Sequence, residues 1–262
     1  MHSLKRNKYA LDLLESLQFS VDSKLVTTIS SADLLDSKTA ALFLESIQPK
    51  LFSPTPLKTA SLFVKRYAFV AVIAHASYSF AHVPLSTRLI DWKIVEQRDS
   101  DSNDYWAPKF TLHNESRILA SRKEVQPMEY FANLYHDHYR PIVEQLFSLT
   151  KVPKVSLWET VYSYLSWLYE SLKDKALDQH VVQQDFEALL QLPGEVFGMR
   201  KNPFLTSYQQ TPVLVGEYLV KPRKTCCFYH ESSLKKGEGE VFCGTCPHRC
   251  RKEGKPLEQT NV

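Results

Sequence analysis

The sequence predicts an α+β fold that is mainly α, in which a helical body with a small antiparallel β element precedes a metal-binding C-terminal segment. Apolar residues recur at three- and four-residue steps through most of the chain, and two short stretches instead alternate apolar with polar residues. All five cysteines lie between Cys226 and Cys250. With 262 residues, 44% of them hydrophobic, the chain can bury one core. We therefore expect a helical body over 1–220 and a metal-binding segment over 221–256.

Six segments carry the helical pattern: 5–18, 32–48, 57–82, 127–149, 156–173 and 180–192. In the fifth, Ser156 and Glu159 match a capping box, which predicts that the helix begins there. The apolar stripe that follows, and the Tyr and Trp side chains within 156–169, are expected to face the core. Pro193 and Gly194 are expected to end the sixth helix.

The period-two stretches predict strands. Ile90, Trp92 and Ile94 alternate with polar residues, as do Phe110 and Leu112, and the polar loop QRDSDSNDY lies between them. We expect an antiparallel hairpin here. A third extended piece, EYLVKP at 217–222, leads into the cysteines.

The N-terminus lacks the apolar region and cleavage site of a secretory signal, so we expect a cytoplasmic protein. Thiols are reduced in that compartment, which disfavours disulfides and favours a metal or cluster. The most apolar stretch, Tyr67 to Val83, is too short and too polar for a membrane span, and a buried helix is expected.

The cysteine spacing favours two kinds of site. Cys243-Gly244-Thr245-Cys246 is a CxxC turn, which brings two thiolates to one metal, and Gly244 is expected to permit the tight backbone. Cys226 and Cys227 are adjacent, which is awkward on one tetrahedral zinc and easier when two metals share the ligands. Spacing alone therefore favours a [2Fe–2S] cluster over zinc without excluding zinc.

The segment RKTCCFYH...FCGTCPHRC resembles the C-terminal signature of the ferric siderophore reductases of the FhuF family, in which a Cys-Cys pair and a CxxC pair hold a [2Fe–2S] cluster. The stretches at 134–165 and 199–208 also resemble the helical body of that family, and of siderophore synthetases of the aerobactin type. Here fifteen residues, Phe228 to Phe242, separate the two pairs, more than in the family pattern. The extra residues fall in the polar stretch SSLKKGEGE, which is expected to be a lengthened surface loop.

The resemblance implies that Cys226, Cys227, Cys243 and Cys246 are the cluster ligands and that Cys250 is a spare thiol. It implies an oxidoreductase that passes one electron to a ferric siderophore, of the hydroxamate type, bound by the helical body. No GxGxxG or P-loop motif is present, so an external electron donor of the ferredoxin or flavoprotein class is expected. Neither a nucleic-acid partner nor stable membrane insertion is expected.

The charges are unevenly distributed. Residues 221–262 carry nine Lys and Arg against five Asp and Glu, whereas the whole chain has a net charge of only +3. Positive charge beside a cluster favours its reduced state and the thiolate form of its ligands. The basic residues expected to act in this way flank the cysteines: Arg223, Lys224, Arg249, Arg251 and Lys252.

The histidines divide into two groups. His230 and His248 lie beside cysteines and are candidates for hydrogen bonding to the cluster. His136 and His138 are two residues apart, a spacing that places helical side chains on different faces, so they are not expected to form a metal pair. His75 and His82 are expected to be ordinary helix residues.

Two other hypotheses remain. A structural four-cysteine zinc protein, binding nucleic acid or a protein partner through its basic tail, would be colourless. An iron–sulfur carrier or sensor would be coloured, but its reduced form would not be reoxidised by a ferric siderophore.

Overall fold

A computed structural model describes residues 7–22, 25–96, 105–113, 122–232 and 241–256. The α-helices, labelled α1 to α9 in chain order, are Lys8–Ser16, Ser37–Ile47, Pro56–His75, Pro127–Asn133, Arg140–Thr150, Lys154–Ser171, Gln179–Gln191, Pro203–Tyr208 and Pro247–Glu253. The strands, β1 to β5, are Val26–Ser30, Trp92–Glu96, Lys109–Leu112, Val213–Val215 and Tyr218–Val220. The predicted fold class, mainly α with a small antiparallel β element, is confirmed.

Side-chain caps explain where several helices begin. Asp36 accepts a hydrogen bond from the Thr39 amide at 2.8 Å and starts α2, which separates that helix from a 3-10 turn at Ser31–Leu35. The predicted segment 32–48 is therefore two elements. Asp178 caps α7 in the same way.

Two long helical runs contain π-helical turns. α3 continues through a π turn at Ala76–Phe80, and α4 joins α5 through another at Leu134–Tyr139. The predicted helical segments 57–82 and 127–149 are confirmed in this form. π turns rotate the side chains that follow them relative to a regular α-helix.

Three strands form an antiparallel sheet in the order β1-β2-β3. The predicted hairpin is confirmed, with Trp92 opposite Leu112 and Ile94 opposite Phe110. Ile90 is not part of its strand, since it lies in a 3-10 turn at Leu89–Asp91 and is 55% exposed. The third strand, β1, was not predicted from sequence. EYLVKP contributes β5, which pairs with β4 in a separate two-stranded hairpin turning at Gly216, whose φ is 62°.

The core is built around α3 and α6, which pack along each other. Most of the apolar stretch from Tyr67 to Val83 is buried within this core, as predicted. None of the described helices is long and apolar enough to cross a membrane.

The predicted capping box at Ser156 and Glu159 is wrong. α6 begins two residues earlier, at Lys154, and both side chains lie buried inside the helix. Both side chains instead form hydrogen bonds with the cysteine segment, which is the C-terminal segment 221–256. Part of segment 5–18 and most of the loops QRDSDSNDY and SSLKKGEGE lie outside the described residues.

Candidate metal centre

The first cysteine pair is held against α6 by a buried carboxylate. Glu159 is 2% exposed and accepts hydrogen bonds from the backbone amides of Lys224 and Thr225 at 2.9 and 2.8 Å. The Thr225 hydroxyl donates to the same carboxylate. A buried carboxylate that accepts several N–H and O–H donors is well satisfied, so Glu159 anchors the chain directly before Cys226.

Two serine hydroxyls hold the peptide carbonyls of the adjacent cysteines. Ser156 on α6 donates to the carbonyl of Cys226 at 2.7 Å, and Ser61 on α3 donates to the carbonyl of Cys227 at 3.1 Å. The pair is thus fixed to the two central helices at once, which orients both thiols relative to the core.

The second pair reaches the first through a backbone contact. The Arg223 amide donates to the Thr245 carbonyl at 3.0 Å, and the Cys246 amide donates to the Cys243 carbonyl at 3.0 Å to close the CxxC turn. Gly244 was expected to permit a tight backbone here, but the turn does not need glycine. Its φ is not positive, and a Cβ there would meet no atom within 4 Å.

The structure brings two of the four predicted ligands, Cys227 and Cys243, into contact. The Sγ atoms of Cys227 and Cys243 are 3.5 Å apart, and Cys246, 1% exposed, immediately precedes α9. Cys226 accepts a hydrogen bond from the Phe228 amide at 3.2 Å. Sulfur atoms at the Cys227–Cys243 distance can bind one metal ion together.

A hydrogen bond and nearby charges favour the thiolate form of Cys227, the form that binds metals. The hydrogen bond shared with Cys243, and the charges of Lys65 and Arg223, lower the pKa of Cys227 to about 5 despite its burial. The same hydrogen bond, together with burial, raises the pKa of Cys243. The pair therefore loses its first proton easily and its second with difficulty, until a metal ion supplies positive charge.

Arg223 is the most buried of the predicted basic residues, at 8% exposed. Its guanidinium donates to the Ser156 carbonyl and the Thr160 hydroxyl, both at 2.8 Å, and its buried Nε has no hydrogen-bond partner among the described residues. An unsatisfied buried donor is typical of a site that binds an anionic group. Arg223 is therefore part of the site's framework.

Lys65 was missed by the sequence analysis. It lies on α3, far from the cysteines in sequence, and its Nζ is 3.9 Å from the centroid of the Tyr229 ring. Burial lowers the pKa of Lys65, whereas the nearby Cys227 and Cys243 thiolates raise it. No local sequence pattern could have found this residue, because only the packing of α3 brings it to the site.

His230 and His248 form a second, candidate ligand set with Cys226. The Cys226 Sγ and the His230 Nδ1 are 3.7 Å apart, and one potential ligand atom from each of the three residues lies within 4.8 Å of the others. Zinc accepts mixed Cys and His ligands. Cys226 can therefore serve either a thiolate site or a mixed site.

Cys250 lies one turn after Cys246 on α9 and is 5% exposed. Burial, followed by the charge of Cys246, raises the pKa of this thiol. Its Sγ belongs neither to the close thiol pair nor to the Cys–His set among the described residues.

Three other histidines, His75, His136 and His138, have surroundings unlike those of a metal site. His136 is exposed beside Asp137, whereas His138 is fully buried. His75 is also fully buried and contacts the hydroxyls of Tyr135 and Tyr169, both at 2.7 Å. The expectation that His82 is an ordinary helix residue is wrong, because it follows the π turn at Ala76–Phe80 and has a φ of 54°.

A cavity of about 480 Å³ opens beside the CxxC turn, lined by Cys243 together with Lys65, Phe69, Tyr164, Trp167 and Tyr229, among others. A neighbouring cavity of about 410 Å³ shares Trp167, Arg223 and the Gly244–Thr245 backbone with it. The expectation that the aromatic residues of α6 face the core holds for Trp158, Tyr162 and Tyr169, but not for Trp167, which is 41% exposed.

A scan against models of known protein families and a search of curated proteins found no match for this chain.

Proposed function

We propose that this chain is a ferric siderophore reductase acting in the cytoplasm. A [2Fe–2S] cluster would be held by four thiolates, those of Cys226, Cys227, Cys243 and Cys246, and would supply one-electron chemistry. Siderophore-bound Fe(III) would gain one electron and leave as Fe(II). An external donor of the ferredoxin or flavoprotein class would then reduce the protein again. Hard oxygen ligands, such as hydroxamates, bind ferric iron far better than ferrous iron, so reduction loosens the chelate.

The observation that carries this proposal is the position of the Cys227–Cys243 thiol pair. The two Sγ atoms are 3.5 Å apart, and Cys243 lines a cavity large enough for a small-molecule ligand. A structural metal site needs no such opening. A site that exchanges electrons with a small chelate requires one, because electron transfer depends on close approach.

The surrounding residues suit a negatively charged cluster. Lys65 and Arg223 place two positive charges near the thiolates of Cys227 and Cys243, and the buried Nε of Arg223 has no hydrogen-bond partner within the described part of the chain. These charges lower the cost of holding four thiolates in a partly buried site. They also favour the more negative, reduced state of a bound cluster.

The experiment is to purify the protein anaerobically, record its absorption spectrum, and quantify iron, sulfide and zinc in the same sample. We expect a red-brown protein with iron and sulfide in equal amounts, about two of each per chain. After reduction, stopped-flow mixing with a ferric hydroxamate siderophore should reoxidise it. Cys243→Ser should lose the colour, whereas the matched variant Cys250→Ser should keep it. A colourless protein that contains zinc and no sulfide would contradict the proposal.

A second candidate, structural zinc, is favoured by the Cys226–His230–His248 set. The double variant His230→Gln and His248→Gln separates the two functions. It should keep its iron and sulfide if the four cysteines hold a cluster, and it should lose its metal if the mixed set holds zinc.

A further inference from the structure

We infer that the groove along the exposed face of α6 is the binding site for the ferric chelate, with Trp167 as the surface on which the chelate stacks. This inference rests on the proposed function, because it names the place where the substrate of the metal centre binds.

The groove consists of the two adjoining cavities beside the CxxC turn. Both are lined by Ser163, Trp167, Arg223 and the Gly244–Thr245 backbone, so they meet at Trp167. One end reaches Cys243 and Lys65, and the other reaches Leu219 and Lys221. Their volumes, about 480 and 410 Å³, are each in the usual range for small-molecule sites.

The helical repeat explains why one face of α6 can line such a groove. Thr160, Ser163, Tyr164 and Trp167 are spaced by three or four residues and therefore share one face. Apolar residues elsewhere on α6, such as Trp158 and Leu165, are fully buried in the core. Trp167 is not needed to fill the core, and its ring is left available at the centre of the groove.

The aromatic lining points to a ligand with flat, conjugated groups. Phe69 and Tyr164 pack with ring centroids 5.2 Å apart, and the Tyr229 ring lies under the Lys65 ammonium. Hydroxamate and catecholate groups are flat and conjugated, and aromatic faces attract such groups as well as positive charge. A chelate built from these groups can therefore stack on the groove while its iron approaches Cys243.

The charges in the groove allow a neutral or anionic chelate to approach. Three cations, Lys65, Arg223 and Lys221, line it together with two carboxylates. Glu159 already accepts from the amides of Lys224 and Thr225, and Glu170 lines the cavity that contains Leu219 and Lys221, not the one that contains Cys243. Lys65 and Arg223 offset the negative charge of the thiolates, which would otherwise repel the oxygen ligands of the chelate.

Binding can be measured without electron transfer by using gallium(III), which has the charge of ferric iron but is not reduced. The probes are the gallium(III) complexes of a tris-hydroxamate and of a tris-catecholate, titrated calorimetrically into the anaerobic holoprotein. Wild-type protein should bind at least one probe. Trp167→Ala should weaken that binding about tenfold through loss of stacking, and Ser163→Trp, which fills the groove, should abolish it.

Phe147→Ala is the matched control. Phe147 is also an exposed aromatic residue on a helix, at 39% exposed, but it lies on α5 and does not line the groove. The affinity of the Phe147→Ala protein for the gallium(III) chelates should stay within about twofold of wild type. Circular dichroism of each variant verifies that it is folded.

The inference is overturned if wild-type protein binds neither probe, or if Trp167→Ala and Ser163→Trp bind as tightly as wild type. The proposed function is tested separately with the iron(III) chelates. If the groove variants lose gallium(III) chelate binding but iron(III) chelates fail to reoxidise the reduced protein, the groove is the binding site and the reductase function is wrong. If iron(III) chelates reoxidise wild type and both variants at the same rate, the reductase function is supported and the groove assignment is wrong.

Discussion

Two fully buried histidines pair with tyrosines in the core. His138 lies 2.6 Å from the Tyr67 hydroxyl through Nε2 and 3.2 Å from the Thr87 carbonyl through Nδ1. The carbonyl can only accept, so Nδ1 carries the proton and Nε2 accepts from Tyr67. His75 lies between two tyrosine hydroxyls in the same way. These bonds use neutral imidazoles, and burial lowers the pKa of each histidine to about 3.

This arrangement predicts that stability falls as pH falls below neutrality. Between about pH 6.5 and pH 3 the unfolded chain binds a proton on each histidine, whereas the folded protein does not. Protons therefore favour unfolding, and the free energy of unfolding should decrease by up to about 1.4 kcal/mol per pH unit for each histidine.

Urea unfolding between pH 7 and pH 5 measures this slope. His138→Gln can still donate to Thr87 and accept from Tyr67, so it should fold while losing one of the two contributions. The prediction fails if the variant shows the same slope as wild type over this range.

At the scale of elements, α6 has three roles. Its buried residues complete the core against α3, its N-terminal turns hold the cysteine segment through Ser156 and Glu159, and its exposed face lines the groove at Trp167. One helix thus links the core to the candidate metal centre. A change at the metal-facing turns should therefore alter stability as well as metal binding.

Glu159→Ala tests this link. It leaves the part-buried Lys224 and Thr225 amides without their acceptor. An unsatisfied buried donor costs about 1–3 kcal/mol, and part-buried donors lie toward the lower end of that range, so the free energy of unfolding should fall by about 2–4 kcal/mol. Glu159→Gln keeps an accepting oxygen and should cost less. Glu170→Ala, an exposed carboxylate on the same helix, should change the free energy by no more than about 0.5 kcal/mol. Equal values for Glu159→Ala and Glu170→Ala, measured by urea unfolding, would contradict this role.

At the scale of the whole molecule, the cysteine segment lies against the body but contributes little to its core. The core cluster consists of residues from α1 to α8 and the three-stranded sheet, and no cysteine belongs to it. Tyr229 is the residue of the described segment that packs against this core, and polar contacts from Ser61, Ser156 and Glu159 also attach the segment. We therefore expect the body to remain folded when the candidate centre holds no metal.

Removal of the metal with a chelator should loosen only the C-terminal segment. The far-ultraviolet circular dichroism should be retained, because the helices of the body pack without the metal, whereas trypsin should cut within 221–256 much faster than in the holoprotein. Mass spectrometry of the fragments locates the cuts. Loss of the helical signal together with the metal would show that the centre holds the whole fold.

The sequence by itself determined the helical class, the β2–β3 hairpin and the cysteine segment. These follow from local signals, since apolar periodicity and cysteine spacing are visible within a few residues. It did not predict β1, because β1 is stabilised by pairing with β2, far away in the chain. The sequence pattern also predicted a local cap at Ser156 and Glu159, whereas the hydrogen-bond partners of both side chains lie at or beside Cys226.

Only the tertiary structure decided what surrounds the cysteines. The approach of Lys65, the grouping of His230 and His248 around Cys226, and the cavity beside Trp167 all depend on how α3, α6 and the C-terminal segment pack. Local sequence patterns encode which face of an element is apolar. They do not encode which distant element covers that face, so the sequence could suggest ligand types, whereas it could not predict the shape of the site or the approach of Lys65 to it.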